Sequence, residues 1–333
     1  MNYRAEGFLK KRIEKVYRHE GFKGETIGDF KAWKETAAGD FEKILGLSAF
    51  SAAEFAPVVS GGRVFDGYLR KKCSIQTAEG LRMPFYVLEP TEKGNNIPVI
   101  AVHGHGCDGK EGLCGDSIDT ERYNYSYALD FVKRGYTVYV PDLLGFGERL
   151  EEISIIRGEG SSCNHLNNAL TSLGTTLMGL NLFELKRLVD YIGETGADMN
   201  GLTAVGFSGG GLGALVLAAL DFRVKVCYVS GYYHSFKDTL LKNNLCGCNF
   251  VPGLWDHFDI ADIGNMVCPR GLIIEYGDSD SLNFGCEKVI EETKRCYEIN
   301  GAEDNFYVFK GSGGHRFYGL GYAAAEDIIK RRK

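Results

Sequence analysis

The chain has no block of basic residues. Its 38 Lys and Arg are scattered among 44 Asp and Glu, leaving a net charge of −6. Polyanions are bound by clustered cationic faces, so nucleic acid is excluded as an expected partner. The short clusters Lys10-Lys11-Arg12 and Arg331-Arg332-Lys333 read as solvated ends. No apolar run is long enough to read as a transmembrane span. The opening Met1-Asn2-Tyr3-Arg4-Ala5-Glu6 leads into charged, helix-like sequence without the apolar stretch of a signal peptide. The expected setting is therefore the cytoplasm, with reduced thiols and no membrane partner. Ten cysteines, at 73, 107, 114, 163, 227, 246, 248, 268, 286 and 296, are too dispersed for a secreted disulfide scaffold. Cys246-Gly247-Cys248 is their only close pairing. C-x-C can bind a metal, but no second ligand pair stands at finger or ribbon spacing, so no metal is expected. Internal repeats and low-complexity segments are also missing.

What is present is an ordinary globular composition, 44% hydrophobic and 25% charged over 333 residues. That length allows one large α/β domain with additions, or two smaller domains. Residues 4–18 and 29–45 read as helices, the second stopped by Gly46. With a linker-like break over 57–62, they predict an N-terminal helical extension, residues 1–62, packed on a catalytic domain, residues 63–333. The domain opens with a hairpin, strands 68–76 and 81–88 about the turn Ala78-Glu79-Gly80. Short apolar runs at 98–102, 136–141, 202–207, 224–230, 271–276 and 306–309 read as buried strands. Helical stretches at 120–134, 167–194, 210–221, 284–299 and 316–330 alternate with them. This alternation predicts an α/β fold, a mostly parallel sheet of about eight strands with helices on both faces. The loop 231–267 is long enough to be functional or to carry its own short helix.

The stretch Gly206-Phe207-Ser208-Gly209-Gly210 follows an apolar strand and precedes a small-residue helix. This is the setting of a nucleophile elbow, where a tight strand-to-helix turn lifts a serine Oγ clear of the sheet. A serine hydroxyl needs a base to take its proton, and the base needs a carboxylate to orient it. In this fold the three appear in the order Ser, acid, His. Asp278 and Asp280 both follow the strand ending near Tyr276. Asp280 is preferred, because the extra residues after Gly277 let the chain turn back; Asp278 is the alternative, and Glu275 lies within the strand. Of His234, His257 and His315, only His315 also follows the aspartates, on the glycine-rich approach Gly311-Ser312-Gly313-Gly314. An oxyanion hole needs two backbone N–H groups. Gly209 supplies one, and His105, in His103-Gly104-His105-Gly106 after strand 98–102, supplies the other. His103 reads as structural, and a metal-binding pair with His105 is a weaker alternative. His19 and His165 receive no role. Tyr232, Tyr233, Trp255 and Phe258 either offer aromatic faces to a substrate or belong to the core.

These motifs, together with Gln76-Thr77 to Pro90, Pro141-Asp142-Leu143-Leu144-Gly145-Phe146-Gly147-Glu148-Arg149, Cys246-Gly247-Cys248 with Val251-Pro252-Gly253, and Gly313-Gly314-His315, resemble the α/β-hydrolase superfamily. More narrowly, they resemble its acetyl xylan esterase-like, dienelactone-hydrolase-related serine esterases, from about Arg70 onward and in the N-terminal extension. The resemblance implies ester hydrolysis by Ser208, His315 and Asp280 without a cofactor, on a small-molecule ester such as an acetylated oligosaccharide. It maps the family's acid onto Asp280 and its oxyanion donor onto His105. Dienelactone hydrolases proper carry cysteine at the nucleophile, and dehalogenases and epoxide hydrolases aspartate, so Ser208 sets this chain apart from both. A serine peptidase or thioesterase of the same fold, or a non-catalytic binding protein on it, are the alternatives, and a homo-oligomer is left open. The roughly 90 residues ahead of the domain core cannot form the propeller of a prolyl-oligopeptidase-type enzyme.

Overall fold

The computed structural model describes residues 3–106, 108–115, 123, 125–240, 242–243, 245–283 and 285–332. One nine-stranded sheet runs through the molecule in the order β1-β2-β3-β5-β4-β6-β7-β8-β9. The strands are β1 (Val58–Phe65), β2 (Tyr68–Ala78), β3 (Leu81–Pro90), β4 (Pro98–Val102), β5 (Thr137–Pro141), β6 (Thr203–Phe207), β7 (Val226–Ser230), β8 (Gly271–Gly277) and β9 (Phe306–Gly311). β1 to β3 and the β3–β5 pairing are antiparallel; every pairing from β5 through β4 to β9 is parallel. β4, β6, β7 and β8 are buried along their whole length, as strands covered by helices on both faces must be. Among the described residues no helix is long and apolar enough to cross a membrane.

Three boundaries differ from the expectation. The stretch assigned to a linker, 57–62, is the edge strand β1, so the sheet has nine strands and the division at residue 62 falls inside one of them. β1 is exposed almost throughout and slips register between Val59 and Gly61, and Ser60-Gly61-Gly62 gives it the composition of a turn. The helix expected over 167–194 is two, Cys163–Ser172 and Leu177–Glu194, broken at Gly174, whose φ of 81° is readily reached only by glycine. The helix expected over 120–134 is Tyr127–Lys133; residues 120–122 and 124 lie outside the described residues, as do Phe284 of the stretch 284–299 and the terminal Met1, Asn2 and Lys333. Among its described residues the loop 231–267 carries three short α-helices, Phe236–Leu240, Leu254–His257 and Ile260–Val267, and the 3-10 turn Gly247–Asn249.

Of the N-terminal helices, Glu6–Val16 buries no residue, whereas Ile27–Leu45 is bound into the core. Thr26 caps the helix Ile27–Leu45 with a reciprocal Thr26–Asp29 box, and Phe30, Ala37, Phe41 and Leu45 bury one face of it. Ahead of that helix, Arg18 pairs with the fully buried Asp262 at 2.6 and 2.7 Å and with Glu292, while Tyr17 hydrogen-bonds Asp259. The amides of Arg18, His19 and Glu20 also donate to the carbonyls of Trp255, Asp256 and His257. The extension therefore fastens directly onto the 231–267 segment.

Candidate active site

β6 ends at Phe207 and the helix Gly209–Leu220 starts two residues later, so Ser208 carries the whole reversal. Its φ of 56° and ψ of −129° lie outside the ordinary regions for a residue with a side chain. The flanking glycines are required by contact. A Cβ on Gly206 would stand 2.1 Å from the carbonyl oxygen of Gly210, and one on Gly210 would stand 2.0 Å from that of Val102. The backbone is held there by the Ser208 amide, which donates to Ser230 O at 2.8 Å.

Ser208 Oγ lies 2.9 Å from His315 Nε2, and His315 Nδ1 lies 2.7 Å from Asp280 Oδ2. With Nδ1–H donating to the carboxylate, Nε2 is left as the acceptor for the serine hydroxyl. Asp280 is buried, and its carboxylate also accepts from the Leu282 amide at 2.9 Å and Asn283 Nδ2 at 2.8 Å. Asp278 is exposed and accepts from the Gly313 amide at 2.9 Å, which shapes the loop that carries His315. Glu275 does not reach His315. It is buried in β8 and accepts from Ser230, Tyr228 and the amides of Tyr318 and Leu320, fixing the chain just beyond His315.

His105 follows β4 and faces the elbow, so that a Cβ on Gly209 would come within 2.3 Å of its Nδ1. Gly209 opens its helix, where the first amides have no intrahelical acceptor. His103 is buried; its Nε2 accepts from the Leu143 amide at 2.9 Å and its Nδ1–H donates to Gly104 O at 2.7 Å, so both nitrogens are used. A metal pair of His103 with His105 is thereby ruled out among the expectations. Phe146 packs edge-on against both rings, at 5.1 and 5.4 Å.

Sequence reasoning missed what holds Phe146 and this loop. Lys110 is fully buried, with Nζ 2.6 Å from Asp142 and 2.5 Å from Glu148. Burial alone would lower its affinity for the proton, but the two carboxylates outweigh it and keep the ammonium charged. Arg149 binds the buried Glu184 at 2.7 and 2.9 Å and donates to Asp142 O. The run Pro141–Arg149 was legible as a motif, but Glu184 stands alone on a helix and gave no signal.

Of the aromatic residues left open between pocket and core, most are core. Tyr232 is buried with its hydroxyl on Asn249, Tyr233 is buried with its hydroxyl against Thr293, and Phe258 is fully buried. The alternation of polar and apolar residues in a loop does not separate a buried tyrosine with a partner from one that faces a ligand. Trp255 packs between Phe236 and Phe250 beside a separate surface hollow that does not include Ser208 or His105. The cavity that does abut Gly209 and His105 measures ≈ 50 Å³ and is lined mainly by Leu143, Phe146, Met178, Leu182, Leu185, Leu212 and Val216.

His257 bonds Glu20, away from the serine. His234 is buried against Thr239, and burial pushes its imidazole down to about 4 from 6.5. An unfolded chain therefore binds a proton at this position before the folded one does. The contribution is nil above pH 6.5, and stability is lost as pH falls from 6.5 to 4, by roughly 3 kcal/mol in total. Denaturant unfolding of the parent and His234→Gln at pH 7 and pH 4.5 checks this: the variant should lose markedly less stability on acidification. Equal losses would remove His234 from the account.

The elbow, the ordered Ser, Asp and His at three strand ends, and the mostly parallel sheet define the α/β-hydrolase fold. A structure from Bacteroides fragilis NCTC 9343 (BF1801), provisionally assigned as an acetyl xylan esterase, superposes with a TM-score of 0.78 at 19% identity, covering 93% of this chain and 83% of that one. A glucuronoyl esterase from Solibacter usitatus superposes at 0.63 with 14% identity over 91% of this chain and 93% of its own. Acetyl xylan esterase 1 from Thermoanaerobacterium sp. JW/SL YS485 superposes at 0.57 with 15% identity over 97% and 98%. In sequence, YtaP of Bacillus subtilis (strain 168), a provisionally assigned hydrolase, is 28% identical over 243 residues, 70% of this chain and 78% of its own. The chain belongs to the Abhydrolase family, whose sequence profile matches residues 4–239, N-terminal helices included.

Proposed function

We propose that this protein is a serine esterase that removes small acyl groups from carbohydrate esters through a covalent acyl-enzyme. The observation that carries the reading is the hydrogen-bonded chain from Ser208 Oγ through His315 to the buried Asp280. Ser208 attacks the ester carbonyl while its proton passes to His315 Nε2. Asp280 keeps the ring in the tautomer that can accept and stabilises the imidazolium that results. The N–H groups of Gly209 and His105 hold the oxyanion, a contribution of about 3–4 kcal/mol per donor in sites of this kind. Collapse returns the proton to the leaving alcohol, and a water deprotonated by His315 then releases the acid.

The carbohydrate half of the proposal draws on the names of the similar structures, two of which are an acetyl xylan esterase and a glucuronoyl esterase. The short acyl group likewise draws on the acetyl xylan esterase among those names. A fluorophosphonate probe should label Ser208, located by peptide mass spectrometry. Acetyl esters should exceed octanoyl esters of the same alcohol in kcat/KM by about tenfold or more. An unlabelled serine would sink the mechanism, and a preference for the long chain would sink the acyl assignment.

A further inference from the structure

Cys163, Cys246, Cys248 and His105 converge on one point. One ligand atom from each, three Sγ and an imidazole nitrogen, lies within 4.8 Å of all the others. His105 Nε2 and Cys248 Sγ are 2.8 Å apart. These residues come from three separate segments: the loop after β4, the start of the helix Cys163–Ser172, and the turn Gly247–Asn249. The expectation of no metal rested on the missing second ligand pair along the sequence, and the fold supplies that pair from elsewhere. All nine described cysteines are free thiols, yet only these three gather with a histidine in such a cluster among the described residues.

We infer that His105, Cys163, Cys246 and Cys248 form a tetrahedral binding site for a zinc-type divalent cation. Thiolate sulfur and imidazole nitrogen are the donors such an ion prefers, and Cys3His is a recurrent closed set. Around zinc, with sulfur at about 2.3 Å, the ligands of a tetrahedron stand roughly 3.8 Å apart, inside the 4.8 Å that bounds the four ligand atoms here. The surroundings are those of a built ligand shell. Asn164 Oδ1 accepts from the Gly247 amide at 2.9 Å, and Asn249 Nδ2 donates to Cys246 O at 3.0 Å and sits 3.7 Å from Cys248 Sγ. Tyr232 in turn fixes Asn249 at 2.6 Å. Binding releases the three thiol protons to solvent and takes the lone pair of a neutral His105 Nε2, with no change of oxidation state.

Four protein ligands leave no open position for water, so the site is structural rather than hydrolytic. Its effect is to tie the loop 231–267 and the helix Cys163–Ser172 to the residue whose backbone N–H is proposed to hold the oxyanion. That last consequence rests on the proposed esterase mechanism; the metal site itself does not.

The full-length protein, purified anaerobically with reductant and without chelator, should contain one zinc per chain by elemental mass spectrometry. Exchange for cobalt(II) should give thiolate-to-cobalt charge transfer in the near ultraviolet and intense tetrahedral bands in the visible. Cys163→Ser and Cys246→Ser should each lose the metal and the spectrum, whereas Ser208→Ala should keep both, which separates this proposal from the esterase reading. Stripping the metal should lower kcat for an acetyl ester by up to about 100-fold, the cost of misplacing a reacting group by about 1 Å, with KM changing little. Reduced protein that holds no zinc and gives no thiolate–cobalt spectrum on titration overturns the proposal. So does a disulfide joining Cys163 to Cys246 or Cys248 in protein kept under reductant.

Discussion

Ser208→Ala is expected to lower kcat on a short-chain aryl ester by about 10⁴-fold or more while leaving the melting temperature within a degree or two of the parent. The size follows from what the hydroxyl does in the proposed mechanism. Without Oγ there is no acyl-enzyme, and His315 can only assist a direct attack by water, held by whatever the oxyanion donors still provide. The fold should not notice the change, because the residue's contribution to the elbow is its backbone: its amide bonds Ser230 O, and its carbonyl accepts from the Leu212 amide. Steady-state rates on purified protein, with thermal unfolding alongside, give the answer. A variant that keeps a tenth of the parent rate would place the nucleophile elsewhere.

The second large effect lies away from the serine. Arg149→Met should cost about 3–5 kcal/mol of stability, because it leaves the carboxylate of Glu184 uncompensated in a fully buried position. Thr77 Oγ1, at 2.7 Å, would be its one remaining side-chain donor among the described residues. In a chain of this length that loss corresponds to a melting point lower by roughly 4–7 °C. The double variant Arg149→Met/Glu184→Leu removes both charges and should recover most of the loss, since a buried pair is often replaceable by apolar groups of similar volume. If the single variant melts with the parent, or the double variant melts lower still, the pair is not acting as a matched burial.

The fold and the proposed catalytic residues were legible for a physical reason. Buried parallel strands leave short apolar runs such as Pro98–Val102, and a strained serine between mandatory glycines leaves a pattern five residues long. Asp280 and His315 were readable because the fold orders them along the chain. The edge strand Val58–Phe65 was not, since an exposed strand with Ser60, Gly61 and Gly62 carries neither apolar continuity nor alternation. Tyr232 and Tyr233 stayed open between pocket and core because an amphipathic ring satisfies either setting, and the positions of Asn249 and Thr293 decide between them. The His105–Cys163–Cys246–Cys248 cluster was invisible for a different reason. Its members are neighbours only after β4, the helix Cys163–Ser172 and the 231–267 segment have packed.

The fastening of the N-terminal helices bears on how the molecule is assembled. Arg18 meets Asp262 across 244 positions of chain. A polypeptide emerging from its N-terminus therefore presents a cationic side chain and the apolar face of the helix Ile27–Leu45 long before the residues that receive them exist. Contacts of such separation form late and slowly, since a wide loop must close first. The earlier-made side of this contact is thus locked only after the later-made side has arrived. Until Asp262 arrives, Phe30, Phe41 and Leu45 form an apolar surface open to misassociation in a nascent chain.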